Sequence, residues 1–199
     1  MPTRLAFDRL NNGIEGIAVS GNAGSEVLYV VIQRAWPDSA GGAIDKANTK
    51  IGRYEVATGQ WTFVHYPLEE ECNGGKIGLS ELTALPNGNF AVNERDKGWE
   101  PSTGPIAELK SIFGIDLASS QFRTYDNPQG LVTIEKEQLM NLKSKMKQHS
   151  IWTAEKLEGL TVTVDGIIFA VTDNDGLYDA TGETLFFRLT KLEKLRLKN

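Results

Sequence analysis

The chain is poor in the residues that build sulfur- and imidazole-based sites. Cys72 is its one cysteine, which excludes an intramolecular disulfide, and His65 and His149 are its two histidines. Histidines so far apart in sequence do not suggest the usual His/Cys zinc site. Basic stripes are missing too. A formal net charge of −5 and a pI near 5.2 argue against a nucleic-acid partner, which needs Lys and Arg gathered on one face. The one basic cluster, Lys191–Lys198, alternates with Leu192, Leu195 and Leu197 and reads as a solvated end or edge element. No run approaches the roughly 20 apolar residues of a membrane-spanning helix. The opening MPTRLAFDRLNNG has neither an apolar core nor a small-residue cleavage site, so no secretory signal is expected there. A G-x-S-x-G elbow is absent as well, so Ser20, Ser80 and His65 do not suggest a serine triad.

What remains is acidic and rich in strands. Two apolar runs, Leu160–Val164 and Ile167–Val171, flank Asp165-Gly166. That pair takes the backbone conformation of a tight turn, so the stretch predicts a β-hairpin. Glu158 precedes the first strand and Asp173-Asn174-Asp175 follows the second. An antiparallel hairpin folds its ends together, which puts Glu158 and the triplet on one rim. Carboxylates crowded there repel unless a cation, a proton or a substrate relieves them.

The phrase recurs. Ile14-Glu15-Gly16-Ile17-Ala18-Val19 matches Leu157-Glu158-Gly159-Leu160-Thr161-Val162 in residue type, and Leu79-Ser80-Glu81-Leu82-Thr83-Ala84 is a looser copy with its acid one place later. Unequal spacing around a preserved hairpin predicts repeated sheet units with variable loops. The expected units cover about 13–67, 78–126 and 156–197. Unit one takes strands at Ile14–Val19, Val27–Ile32, Thr49–Val56 and Gln60–Tyr66. Unit two takes Leu79–Leu85, Phe90–Asn93, Leu109–Ile115 and Gln121–Tyr125. Unit three adds Glu183–Thr190 to the hairpin, with Leu192–Leu197 as the candidate for a fourth strand. One helix is expected over Ile134–Gln148, where Leu139, Leu142 and Met146 recur at helical spacing behind Thr133 as N-cap. Four-stranded antiparallel meanders repeated in this way predict an all-β, propeller-like fold of three blades with one inserted helix.

Each acidic rim admits two readings. Glu15 and Glu158 face a central channel and activate water or bind a cation, or they accept backbone N–H groups and hold a turn. Asp173, Asn174 and Asp175 supply the oxygens that calcium prefers, with Glu158 and Asp96 as further ligands, or they close a strand as an Asx-turn. Asp179 and Glu183 stand downstream and complete the shell in the first reading. Arg95 clamps a substrate anion beside Glu94, with Arg34 as a second anion contact, or Arg95 neutralises Glu94, Asp96 or Glu81.

Three motifs in order, GIEGIAVS, IGLSELTALPNGNFAVNERD and EKLEGLTV with FAVTDNDGLYDATGETLFFRL, resemble the phytase-like family named for the esterase-like activity of phytase. The likeness runs from Gly13 through most of the chain. It implies a β-propeller, calcium-assisted hydrolysis of an ester or phosphoester, and members that are mostly exported. A calcium-dependent lactonase of propeller type, or a non-catalytic scaffold with a structural ion, are the alternatives. Family domains carry further sheet units before the E-G-I-A-V motif, whereas Met1 here lies a dozen residues ahead of it. Three units do not close a ring that usually needs about four to eight blades. A fragment, an open arc, or two copies joined as half-rings in a homodimer are the expectations that follow.

Overall fold

The computed structural model describes residues 12–35, 45–71, 75–96, 99–100, 104–105, 107–124, 130–148, 156–174 and 184–191. The first sheet is a four-stranded meander of β1 (Ile14–Ser20), β2 (Val27–Ile32), β3 (Asn48–Glu55) and β4 (Gln60–Pro67). The second has β5 (Gly78–Ala84), β6 (Phe90–Arg95), β9 (Lys110–Ile115) and β10 (Glu137–Asn141) in that order across the sheet. A two-stranded ribbon, β7 (Trp99–Glu100) with β8 (Gly104–Pro105), lies between β6 and β9 in sequence. The third sheet has three described strands, β11 (Leu157–Val162), β12 (Ile167–Thr172) and β13 (Phe186–Lys191). The pairings within all of these sheets are antiparallel, and the sheets do not close into a ring.

Both hairpins that open the second and third sheets turn in the same way. Gly88 donates its N–H to Leu85 O and Gly166 to Thr163 O, with φ of 86° and 81°. A type I turn that ends in a left-handed residue needs glycine there, which is why Asn87-Gly88 and Asp165-Gly166 punctuate the sequence.

Adjacent sheets pack face to face. Between the first and second lie Ala18, Tyr29, Val31, Ile51, Val64, Leu79, Leu82, Phe90 and Val92. Between the second and third lie Leu85, Ala91, Ile112, Met140, Leu157, Leu160, Ile168 and Ala170. Strand β5 is in contact with both β1 and β11, so the opening strands of the three sheets stand side by side as the inner strands of an arc.

Each inner strand carries a bulge at the same place. The register shifts between Ile14 and Gly16, between Leu79 and Glu81, and between Leu157 and Gly159. Glu15, Ser80 and Glu158 are the extra residues. A bulge re-aims its side chain and bends the strand. It also explains the displaced acid of the middle copy: Ser80 occupies the bulge, and Glu81 stands where the flanking copies have Gly16 and Gly159.

Gly16 sits where the backbones of β1 and β5 approach most closely. A Cβ there would lie 2.6 Å from Leu82 N and 2.9 Å from the Glu81 carbonyl carbon. Both neighbours are main chain, so neither can swing aside. Gly16→Ala is expected to lower stability by about 1–3 kcal/mol, the usual range for overpacking, and chemical denaturation measures it.

Two expectations are corrected. The helix read over Ile134–Gln148 forms only at α1 (Leu142–Gln148), and Glu137–Asn141 is instead the fourth strand of the second sheet. Asn141, not Thr133, caps the helix by accepting the Ser144 N–H at 3.1 Å. The second correction concerns Gln121–Tyr125, read as that fourth strand. Its described part bridges from Arg123 to Phe63 on the outer edge of the first sheet, and Thr133 bridges to His65 farther along. Arg123 and Thr133 thus cover part of the outer edge of β4, a common way to protect unpaired strand groups. Leu192–Leu197, the candidate last strand, lies outside the described residues.

Candidate active site

The three bulges gather charge at one end of the inner strands. Glu158 Oε1 accepts a hydrogen bond from Arg95 Nη2 at 3.0 Å, and Lys156 Nζ lies 3.4 Å from the same oxygen. Lys156 also reaches Asp173 Oδ2 at 3.7 Å, so one ammonium stands between the two carboxylates that flank the third hairpin. Antiparallel pairing causes this closeness, because the N–H of Asp173 bonds Lys156 O and ties the hairpin ends together.

Glu15 belongs to the same mouth. Its pKa is raised, first because surrounding protein displaces water and then because the Glu158 charge repels its ionised form; Arg95 and Lys156 oppose the shift. Glu81 is raised by the same two causes, burial first, against the backbone N–H groups of Leu82 and Leu160. Glu15 of the first sheet and Glu81 of the second therefore both sense Glu158 of the third, with Arg95 and Lys156 compensating at Glu15. Ser80, at the remaining bulge, donates its hydroxyl to Leu157 O and staples β5 to β11.

Accessibility separates the roles of these groups. Arg95 is 1 % exposed, whereas the side chains of Lys156, Glu158 and Asp173 are 19 %, 24 % and 47 % exposed. Arg95 is positioned to hold Glu158 from behind. Lys156 is the cation that faces the mouth. The charge-assisted bond from the buried Arg95 fixes the orientation of the half-buried Glu158 carboxylate. Asn93, on the same face of β6 as Arg95, is fully buried with its amide unpartnered, as is Arg95 Nε. Such groups usually meet an internal water.

The other residues singled out in the sequence lie elsewhere. Glu94 points from β6 to the opposite face, toward the first sheet. There its carboxylate, 0 % exposed, accepts the Tyr66 hydroxyl at 2.9 Å, the Glu69 N–H at 2.6 Å and Lys136 Nζ at 2.6 Å. Asp96 is 1 % exposed and accepts the backbone N–H groups of Glu108 and Leu109 at 2.6 and 3.0 Å. Those bonds fix the chain that leads into β9. Arg34 lies beyond β2, lining a cleft of about 360 Å³ with Lys46, Glu69, Glu71 and Lys76. Asp173 and Asn174 follow β12 at the mouth, while Asp175, Asp179 and Glu183 lie outside the described residues. Among the described residues no group of three or more His, Cys, Asp or Glu is arranged to hold a metal ion.

Lys156 escaped attention in the sequence, although it was legible, and Glu81 was read as a displaced acid and a partner for Arg95 without a place beside Glu158. Lys156 stands two places before Glu158, and a bulged strand start folds such a neighbour back over the same rim.

The chemistry available at the mouth is that of an acid whose pKa is raised above its ordinary value beside a fixed carboxylate and an accessible ammonium. Among the described residues no helix is long and apolar enough to cross a membrane. No curated protein and no solved structure matches the chain. One family model does, the phytase-like family described as esterase-like activity of phytase, over residues 4–176. With most of its length inside that match, the three-sheet chain belongs to the phytase-like (esterase-like activity of phytase) family.

Proposed function

We propose that the chain hydrolyses an ester or phosphoester at the head of the inner strands. The observation that carries this reading is the convergence of Glu15, Glu158 and Lys156 from the first and third sheets, with Arg95 of the second holding Glu158 in place. Lys156 draws the anionic or carbonyl oxygen of the substrate into the mouth. Glu15, partly desolvated and repelled by Glu158, takes a proton from the water as its oxygen bonds the carbonyl carbon or phosphorus, and returns it to the alcohol as the ester C–O or P–O bond breaks. Glu158 keeps Lys156 aimed and preserves the repulsion that raises Glu15.

Calcium is a further proposal. The described donors do not make a calcium site alone, because the Lys156 ammonium stands between Glu158 and Asp173. Asp173 and Asn174 would need Asp175, Asp179 or Glu183 to complete a shell of six to eight oxygens, and no step above passes through the ion. A binding module without chemistry is the second reading. It is favoured by one observation, that both cations near Glu158 are already engaged by it.

A panel of p-nitrophenyl carboxylic esters and phosphates, assayed with calcium and with EDTA, separates these readings. Hydrolysis above the buffer rate is expected with at least one class. Calcium that binds the native state raises activity and the melting temperature together, by about 2.7 kcal/mol of stability at a hundredfold excess over its dissociation constant. Melting curves indifferent to both additives remove the metal. A panel without turnover leaves the binding module.

A further inference from the structure

The inner strands occupy equivalent positions in their sheets, yet one of them is uncovered. Leu79 and Leu82 of β5 are 0 % and 1 % exposed because the first sheet packs over them, and Leu157 and Leu160 of β11 are 0 % and 8 % exposed beneath the second. The matching residues of β1, Ile14 and Ile17, are 40 % and 60 % exposed, and Val19 beside them is 57 % exposed. They carry the side chains of a sheet-to-sheet junction without its other half. Farther across that sheet Ile32, Phe63 and Leu131 pack together with Trp61 and are covered.

The other end of the arc supplies a complement. At the junction of the first two sheets, Gly16 lets β1 lie directly on the backbone of β5 at Glu81 and Leu82. Gly159 is its counterpart on β11, and among the described residues the atom that a Cβ there would meet is Val171 Cγ1 of its own sheet. On the same face Phe169 stacks on Phe186 at 5.5 Å, and Phe186 is 72 % exposed. An outward glycine seat flanked by aromatics at one end faces an apolar strand at the other. Large exposed apolar residues gathered on one strand face mark interaction surfaces.

We propose that the chain associates with a second copy of itself. The Gly159, Phe169 and Phe186 face of one copy covers Ile14, Ile17 and Val19 of the other, and the reciprocal junction forms about a two-fold axis. Two arcs of three sheets then make a ring of six, within the usual range of about four to eight blades. Each junction is unlike-to-unlike, and the two-fold closes it so that no open face is left to polymerise. This inference rests on packing alone and does not depend on the hydrolase reading.

Light scattering after gel filtration, at micromolar concentration, tests it. The expected mass is twice the 21.9 kDa of one chain. Ile17→Asp and Phe186→Asp each remove one kind of face while replacing an exposed side chain, so both variants should keep the far-ultraviolet circular dichroism of the wild type and run as monomers. Mixed in equal amounts they retain one intact junction, and association should return. A monomeric wild type overturns the proposal. A dimer broken by Ile17→Asp but untouched by Phe186→Asp overturns it in favour of like-to-like pairing. Mass that grows beyond the dimer with concentration overturns closure.

Discussion

Glu15→Gln is expected to lower kcat for the best ester of the panel by about 10²–10⁴-fold, the range for loss of a general base. Folding should be spared. Glu15 lies on the exposed side of β1, and Gln keeps its volume. A carboxyl whose folded-state pKa is raised binds its proton more tightly in the native protein, so its ionised form opposes folding once the pH passes the unfolded value. The amide has no charge to lose, so the variant should be as stable as the wild type in acid and equal or slightly better at neutral pH. Activity separates in the opposite direction. Wild-type turnover should rise through an acid limb set by Glu15, above the ordinary glutamate range because of burial and the Glu158 charge. The variant should lack that limb. A variant that keeps wild-type kcat and profile would assign Glu15 to the turn and not to the reaction.

The second large effect concerns stability and arises away from the mouth. Lys136 Nζ touches Glu94 at 2.6 Å and Glu69 at 2.9 Å, and it lies 4.1 Å from the Phe113 ring centroid and 4.9 Å from that of Tyr66. Its removal leaves Glu94, fully buried, with the Tyr66 hydroxyl and one backbone N–H but no cation. Stripping one partner from a buried pair costs about 3–5 kcal/mol. Lys136→Met, which retains most of the apolar stem, should therefore lower Tm by roughly 6–20 °C at neutral pH in a chain of this size. Burial already raises the Glu94 pKa, with Lys136 among the groups that lower it. Without Lys136 it rises further, so the deficit should shrink as acid protonates Glu94 and widen as the pH rises through the folded value. Glu94→Gln added to Lys136→Met should recover part of the loss, and a double-mutant cycle isolates the coupling. Additive losses would mean that the ammonium acts through its packing on Phe113 and Tyr66 alone.

Much of this architecture was legible because strand signals are local. Asp165-Gly166 and Asn87-Gly88 mark turns that only a left-handed residue completes, and the alternating runs on either side form the strands expected of them. The stretch IEKEQLMNLKSKMKQ misled because a strand followed directly by a helix mixes two periods. Leu139 is partly buried from the strand while Leu142 and Met146 are buried from the helix, and together they imitate one helical face. Which sheet received Arg123 and Thr133 was not local at all. The answer depends on an unpaired β4 edge that tertiary folding brings within reach.

The rim carboxylates were readable as a group, and their nearness follows from hairpin geometry. Their compensation was harder to read. Charge balance at a folded rim is decided by which side chains a bulge turns inward, and Lys156 and Arg95 are brought to Glu158 by two separate sheets. Glu94, Arg95 and Asp96 are consecutive, yet strand alternation sends Glu94 to the first sheet and Arg95 to the third, and Asp96 leaves the strand to hold the chain before β9. Sequence proximity was the wrong guide there.

Glu15 and Glu158 come from the first and third sheets, yet the Glu158 charge acts on the Glu15 carboxyl. Carbon-13 NMR titration of the Glu15 carboxyl, in the wild type and in Glu158→Gln, tests this directly. A midpoint above the ordinary glutamate range, moving down when the Glu158 charge is removed, is the predicted result. An ordinary midpoint that ignores the substitution would contradict it.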